Sequence, residues 1–295
     1  MDLETHSWPT ADTRAVLLLG WPTRHSLSPQ IHNAAFRAEG LDLVYLAAPT
    51  PPDALRTAVS GLGAIGAVGA NVTVPHKQAV VAACDTLTEE AALIGAVNTL
   101  VWTADGLLGD NSDARGLEQA LREDIDPSPG EPWVLFGTGG AARAAAVSIG
   151  RFGGSVVVVG RRADAAAEVA ALATRAGATA AEVIPVSSGD VLAAVVAGAR
   201  VVLNATPLGM HDEPLPAPMM HLDPGQVAYD LVYDPVPTPF LAAAADRGVD
   251  AFHGLSMLVG QAVVSFERWT GRAAPRQVMG QAATRALADR RDATA

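Results

Sequence analysis

The sequence predicts an α/β protein of two domains, the second a doubly wound sheet, and three observations carry that reading. Short apolar runs alternate with Ala-rich amphipathic segments along most of the 295 residues, which is the pattern of βα units. A glycine-rich turn, Gly137-Thr138-Gly139-Gly140-Ala141-Ala142-Arg143, joins an apolar run at 133–136 to a helical run. The stretch 124–132, with three prolines and one glycine, reads as the linker between the halves. A chain of this length can hold two domains of ordinary size.

Composition narrows the class. Hydrophobic content of 49% with 17% charged residues is that of a globular chain. No apolar run reaches the ~20 residues of a membrane span, and 1–14 has no hydrophobic signal core, so a soluble cytoplasmic protein is expected, with no membrane partner. The single cysteine, Cys84, excludes an internal disulfide and a Cys-based zinc site and reads as a small core filler. Seven histidines lie without ligand spacing, so no metal is assigned. A net charge of −11 argues against a nucleic-acid partner and makes binding of any anionic substrate depend on local groups.

Taken in order, 1–13 reads as a loose tail and 15–20 as a buried strand. Ser28 before Pro29 reads as the N-cap of a helix running to Glu39. Ser26 puts a second hydroxyl in the same loop, and two hydroxyls beside a helix N-terminus can hold a carboxylate. A strand at 41–48, a helix at 51–60 and a strand at 67–73 follow, with His76 and Lys77 opening another helix. Lys77 is the only lysine in the chain, and it stands just past the carboxyl end of a strand, where open α/β sheets bind ligands. A helix at 88–94, a strand at 95–102 and a lead-in at 106–113 precede a helix to Arg122, with Asp113 as its N-cap.

The second half alternates regularly: strand 133–137, helix 140–150, strand 155–160, helix 163–176, strand 182–186, helix 190–198, strand 200–204. An apolar stretch at 227–233, a helix at 239–247, a strand at 249–252, a helix from 254 to 269 and a final helix from 275 complete the chain. Gly137, Gly139 and Ala142 fit G-x-G-x-x-A, which supplies a tight turn, close backbone approach to a pyrophosphate and close helix-on-strand packing. The N–H groups of the following helix make an anion site without a charged side chain. At the next strand end stand Arg161 and Arg162, with no acid before Asp164. An NAD site wants an acid there for the ribose hydroxyl and an NADP site wants arginine for the 2′-phosphate, so NADP is favoured. Reduction of a ketone by hydride also needs a proton at the developing alkoxide, which a Lys or a Lys/Asp pair supplies without metal. A metal-free dehydrogenase is the class these residues suggest.

The chain also resembles the shikimate dehydrogenase family. The resemblance rests on Ser26-Leu-Ser28-Pro29-x-x-His32-Asn33, Asn71-Val-Thr73-x-Pro75-x-Lys77, Gly95-Ala-x-Asn98-Thr99 and Gly109-x-Asn111-Ser112-Asp113-x-x-Gly116. It continues through the Gly137 turn, Asn204-x-Thr206-Pro207-x-Gly209-Met210, Asp230-x-x-Tyr233 and Gly254-x-x-Met257-Leu258-x-x-Gln261, all in the family's order. It implies NADP-dependent interconversion of 3-dehydroshikimate and shikimate in aromatic amino-acid biosynthesis. By motif, Ser26, Ser28 and Tyr233 would hold the substrate carboxylate, and Thr73, Asn98 and Gln261 the ring hydroxyls, with Asp113 also touching substrate. Lys77 and Asp113 would be the catalytic pair at the reacting C3 oxygen, a coupled pair to which the proton belongs jointly. The cofactor would meet Gly137, Thr138, Gly139, Gly140, Ala141, Arg161, Arg162, Thr206, Leu231 and Gly254.

Two departures stand out. Ser112 replaces the usual Thr and keeps the hydroxyl, while Gly160-Arg161-Arg162 stands where the family has Asn-Arg-Thr, so only Arg161 matches. The expected organisation is a substrate domain at 14–123, a nucleotide domain of Rossmann type at 124–253, and helices at 254–295 returning to the first domain. The active site is expected in the cleft between the domains, with hinge closure, and the protein as a monomer or homodimer. A quinate or aminoshikimate dehydrogenase and a non-catalytic NADP-binding sensor are the rival readings. Quinate's extra hydroxyl lies next to the carboxylate, so the flanks of Ser26 and Ser28 discriminate the first of them.

Overall fold

A computed structural model describes residues 9–210 and 213–294. Of the expected tail, residues 1–8 lie outside the described residues; Thr13 Oγ1 donates to the Asp42 carboxylate at 2.6 Å. Contacts divide the chain into two compact units, one formed by the chain up to Ser112 together with the chain from Ala262, the other by Asp113–Gln261.

The first unit contains β1 (Arg14–Gly20), α1 (Ser28–Ala38), β2 (Leu43–Pro49), α2 (Leu55–Ala64), β3 (Gly69–Val72), β4 (Thr86–Leu87), α3 (Glu89–Ile94), β5 (Thr99–Thr103) and β6 (Gly106–Asp110). They form a mixed six-stranded sheet in the order β2-β1-β3-β5-β6-β4. The first three strands are parallel, and β5 runs antiparallel to both β3 and β6. The start of β5 therefore lies at the same sheet edge as the carboxyl end of β3.

The second unit begins with α4 (Asp113–Asp124), followed by β7 (Pro132–Phe136), α5 (Gly140–Arg151), β8 (Ser155–Gly160), α6 (Ala163–Ala176), β9 (Ala180–Pro185) and α7 (Gly189–Gly198). It continues with β10 (Val201–Asn204), β11 (Val227–Asp230), α8 (Pro239–Asp246) and β12 (Asp250–His253). Its sheet is fully parallel in the order β12-β11-β10-β7-β8-β9, the doubly wound arrangement with its switch point between β7 and β10. Strands buried on both faces need near-continuous apolar runs, which is why Trp133 to Phe136 and Val201 to Leu203 carry no alternation. The two-domain α/β class read from the sequence is the class observed.

Helix α9 (Leu255–Thr270) begins in the second unit and ends in the first, followed there by α10 (Arg276–Thr294). Its first-unit half brings Phe266 and Trp269 against Phe36, His32 and Tyr45. His32 is fully buried, and burial drives its pKa down to about 3, so the ring is a neutral packing element stacked on Tyr45.

Local expectations fail where tertiary hydrogen bonds override chain-local signals. Lys77 opens no α-helix; a 3₁₀ turn follows at Ala79–Ala83. The Lys77 carbonyl accepts from Val97 N at 2.7 Å, and Val81 N turns instead to Gln78 O, so the α-type bond from Val80 N to His76 O is not continued into a helix. Ser28 is not a cap. Leu27 occupies that position and Ser28 is the first helical residue, its N–H donating to Ser26 Oγ at 3.2 Å. Asp113 likewise lies inside the first turn of α4. The segment 106–110 is a strand, because Gly106 at φ +113° turns the chain back into a hairpin with β5. Helix α4, expected with the first domain, packs in the second unit, where Ser148 Oγ donates to Ala114 O and Arg151 pairs with Glu118 at 2.8 Å.

Candidate active site

In the first unit the loops after parallel strands converge at one sheet edge. Thr50 N donates to Gly20 O, Thr73 N to Leu19 O, Trp21 N to Val74 O, and the His76 ring bonds Thr50 O at 2.7 Å. These bonds stitch the loops after β1, β2 and β3 together. Ser26 and Ser28 stand in the first loop, Thr73 and Lys77 in the third, and Asn98 enters beside them at the start of β5. Ser26, Thr73 and Lys77 are half-buried, while Ser28 and Asn98 are buried.

The amide of Asn98 is held in one orientation. Its Oδ1 accepts from Ser112 N at 2.8 Å and Thr99 Oγ1 at 2.9 Å, and its Nδ2 donates to Ser112 Oγ at 2.9 Å. Ser265 Oγ on α9 lies 2.9 Å from Thr99 Oγ1 and 3.2 Å from Ser112 Oγ, and it accepts from Asn71 Nδ2. Ser112 therefore does the hydrogen-bonding work expected of a hydroxyl at that position. Ser265 belongs to none of the sequence motifs, and its partners lie more than 150 residues away, so no local signal marks it.

In the second unit Asp113 opens α4 and is 3% exposed. One turn on, Gly116 packs directly against the Gln261 backbone, where a Cβ would meet the chain, and Gly260 packs back on the Gly116 carbonyl. Two facing glycines let α4 and α9 approach closely, which sets Gln261 near the first turn of the helix that carries Asp113. Gln261 Nε2 donates to Leu258 O at 2.9 Å.

The glycine-rich turn has the expected form. Gly137 adopts φ +122°, and a Cβ there would stand 2.8 Å from Ala205 O, so conformation and space both require glycine. Gly139 has open space where a side chain would be. Helix α5 begins at Gly140 with no side-chain cap and no acid in its first turn. Thr138 and Ala141 are half-buried around it. Across the turn, a Cβ on Gly160 would lie 2.8 Å from Thr138 Cγ2, so the end of β8 abuts the turn; Arg161 and Arg162 follow, both exposed.

The loops after β10, β11 and β12 complete the unit's edge. Thr206 Oγ1 donates to Asn204 Oδ1 at 2.6 Å, Leu231 N donates to Asn204 O, and Gly254 lies against the Leu231 backbone so closely that any side chain would collide. Tyr233 is half-buried two residues beyond Leu231. At the centre is Asp230, fully buried, accepting from Asn204 Nδ2 at 2.9 Å, Val232 N at 3.0 Å and Thr238 Oγ1 at 2.7 Å. It fixes the Thr206 and Leu231 loops from beneath. The sequence marks it as the first residue of the Asp230-x-x-Tyr233 motif but assigns it no role.

Burial pushes the Asp230 carboxyl up to about 6 despite these donors. The folded protein therefore takes up a proton between the ordinary carboxylate range and about 6, and the unfolded chain does not. The stability this contributes is present at low pH and lost as pH rises through about 6, an effect on the order of 2–3 kcal/mol. Asp230→Asn keeps acceptor and donor capacity but cannot titrate. Its melting temperature relative to wild type is expected to rise between pH 4.5 and pH 7.5; an unchanging difference would show that Asp230 carries no such cost.

Among the described residues no group of three His, Cys, Asp or Glu could hold a metal, and no helix is long and apolar enough to cross a membrane.

Fold and residues together define an α/β protein with a dinucleotide-type turn in one unit and an edge of hydroxyls, amide and amine in the other. Family models agree with that class: the shikimate dehydrogenase substrate binding domain matches residues 18–100 and the shikimate 5'-dehydrogenase C-terminal domain matches residues 254–284. The NADP(+) shikimate dehydrogenase of Moorella thermoacetica is 45% identical over 281 residues, covering 94% of this chain and 95% of that one. The crystal structure of shikimate 5-dehydrogenase from Thermus thermophilus in complex with NADP(H) and shikimate superposes with a TM-score of 0.79 at 35% identity, covering 93% of this chain and 100% of that one. A 5-ketofructose reductase of Gluconobacter, in ligand-free form, shares the fold at TM-score 0.76 and 31% identity, with 94% and 99% coverage. The chain belongs to the shikimate dehydrogenase family.

Proposed function

We propose that the protein is an NADP-dependent shikimate dehydrogenase that reversibly reduces 3-dehydroshikimate to shikimate. The observation that carries this reading is the gathering of Ser26, Ser28, Thr73, Lys77 and Asn98 on one sheet edge of a chain 45% identical to an NADP(+) shikimate dehydrogenase. Because a ketose reductase has the same fold, the substrate is read from the residues and not from the architecture. Two serine hydroxyls at the start of α1, with Tyr233, suit a carboxylate, which a ketose lacks.

The second unit fits a dinucleotide phosphate. Uncapped N–H groups at the start of α5, open space over Gly139 and an abutting strand end with two arginines supply the donors a pyrophosphate and a 2′-phosphate need. Gly137, Thr138, Gly139, Gly140 and Ala141 would cradle the pyrophosphate, Arg161 and Arg162 the 2′-phosphate, and Thr206, Leu231 and Gly254 the remainder. When bound, NADPH supplies the hydride, from nicotinamide C4 to the C3 carbonyl of the substrate. The chain's own residues do the rest. Thr73, Asn98 and Gln261 hold ring hydroxyls, with the Asn98 amide kept in one orientation by its bonds to Ser112 and Thr99. Lys77 and Asp113 deliver the proton to the C3 oxygen on reduction and take it back on oxidation.

Absorbance at 340 nm with shikimate or quinate and NADP⁺ or NAD⁺, in all four pairings, tests the reading. Reduction mainly with shikimate and NADP⁺ is expected. Activity mainly with quinate, or with NAD⁺, would overturn the substrate or cofactor assignment separately.

A further inference from the structure

The loop that carries Ser26 is held by a residue at the far end of the chain. Arg290, on α10, donates from Nη1 to the His25 carbonyl at 2.6 Å and from Nη2 to the carbonyls of Ser26 at 3.0 Å and Arg24 at 3.5 Å. Three consecutive carbonyls thus converge on one guanidinium. A planar group with five N–H donors can span such a set, and an ammonium cannot match it. Inside the loop, Ser26 N donates to Thr23 O at 3.0 Å and Ser28 N to Ser26 Oγ at 3.2 Å. The Ser26 hydroxyl accepts from within the loop, and its own proton is the one it can give to a ligand.

We propose that Arg290 is a positioning residue for the recognition of the substrate's anionic group by Ser26 and Ser28. Its hydrogen bonds turn the carbonyls of 24–26 toward α10, away from the ligand, so that an incoming carboxylate meets hydroxyl and N–H donors and no carbonyl oxygen. Carbonyls left to rotate would present negative dipoles to an anion in a protein whose net charge is already −11. The residue acts through the loop and touches no substrate. This inference rests on the reading of Ser26 and Ser28 as the carboxylate site.

The test compares Arg290→Ala, Arg290→Lys and Ser26→Ala in the full-length protein by steady-state kinetics. Arg290→Ala is expected to raise the KM for shikimate by about 10- to 100-fold, with a much smaller change in kcat and in the KM for NADP⁺. Arg290→Lys should recover only part of that loss, and added guanidinium ion should restore the KM of the alanine variant. Ser26→Ala should raise the shikimate KM as well, and the double variant should fall short of the product of the two effects because both act through one loop. An unchanged shikimate KM in Arg290→Ala beside a raised one in Ser26→Ala overturns the positioning role and leaves the carboxylate site standing. An unchanged KM in Ser26→Ala overturns both. Should Arg290→Ala fail to fold, the Arg290→Lys variant decides: a wild-type shikimate KM in that variant means that a guanidinium fork is not required, and the proposal falls.

Discussion

Lys77→Ala is expected to lower turnover by about 10²- to 10⁴-fold while shikimate binding weakens little. The main chain at 77 stays held in this variant by its carbonyl's bond to Val97 N and by the neighbouring His76 ring on Thr50 O, neither of which involves the ammonium. What is removed is the one lysine of the chain, half-buried at the carboxyl edge of the sheet beside Thr73 and Asn98. Lys77→Arg separates charge from proton transfer. Arginine keeps the positive charge but does not release a proton in the working pH range, so it should be nearly as slow as alanine. Near-normal kcat in either variant would sink the assignment of Lys77 to the proton step. Titration of shikimate into the alanine variant would check the binding half of the prediction.

The second unit was legible because its physics is local. A parallel sheet buried on both faces writes each strand as an apolar run, and each crossover helix as an Ala-rich segment between them, so the strands of β7, β8 and β10 could be read from the chain within a residue or so. The glycine-rich turn was legible for the same reason. Gly137 needs its positive φ, a demand the chain makes locally. The proposal of chemistry at Lys77 and Asp113 rests on rarity and on motif order.

What was not legible depends on partners distant in sequence. The helix expected at Lys77 is refused by Val97, twenty residues on, and the two-residue strand β4 is defined only by its pairing with β6. Ser28 resembles a cap, but Leu27 takes the cap position, Ile31 N bonds Leu27 O, and the N–H of Ser28 itself bonds Ser26 Oγ. Asp230, Ser265 and Arg290 hold functional loops from behind through Asn204, Thr99 and the His25 carbonyl. Residues that support a site are chosen by geometry across the fold: the sequence places Asp230 in a motif without its supporting role, and it shows Ser265 and Arg290 as an ordinary serine and arginine.

Replacing Arg161 and Arg162 together by alanine is expected to raise the KM for NADP⁺ by about 10²-fold or more and to leave that for NAD⁺ near its wild-type value. The two side chains are exposed, beyond the end of β8, so their loss removes no packing. They enter through charge alone. Gly160 brings the strand end against Thr138, so both arginines start from the border of the phosphate turn. A 2′-phosphate offers them charge-assisted hydrogen bonds that the ribose hydroxyl of NAD⁺ cannot repay, and no acid stands nearby before Asp164 to favour that hydroxyl. The single variants apportion the effect. Arg161 matches the family's arginine, and Arg162 is where this chain departs from the pattern. If Arg161→Ala alone produces the whole loss, Arg162 is a bystander at the N-terminus of α6. If each costs a comparable factor, the second arginine replaces contacts that the missing Asn and Thr make in relatives. A double variant with unchanged NADP⁺ KM would refute the arginine reading altogether, and cofactor choice would then have to reside in the backbone of the turn.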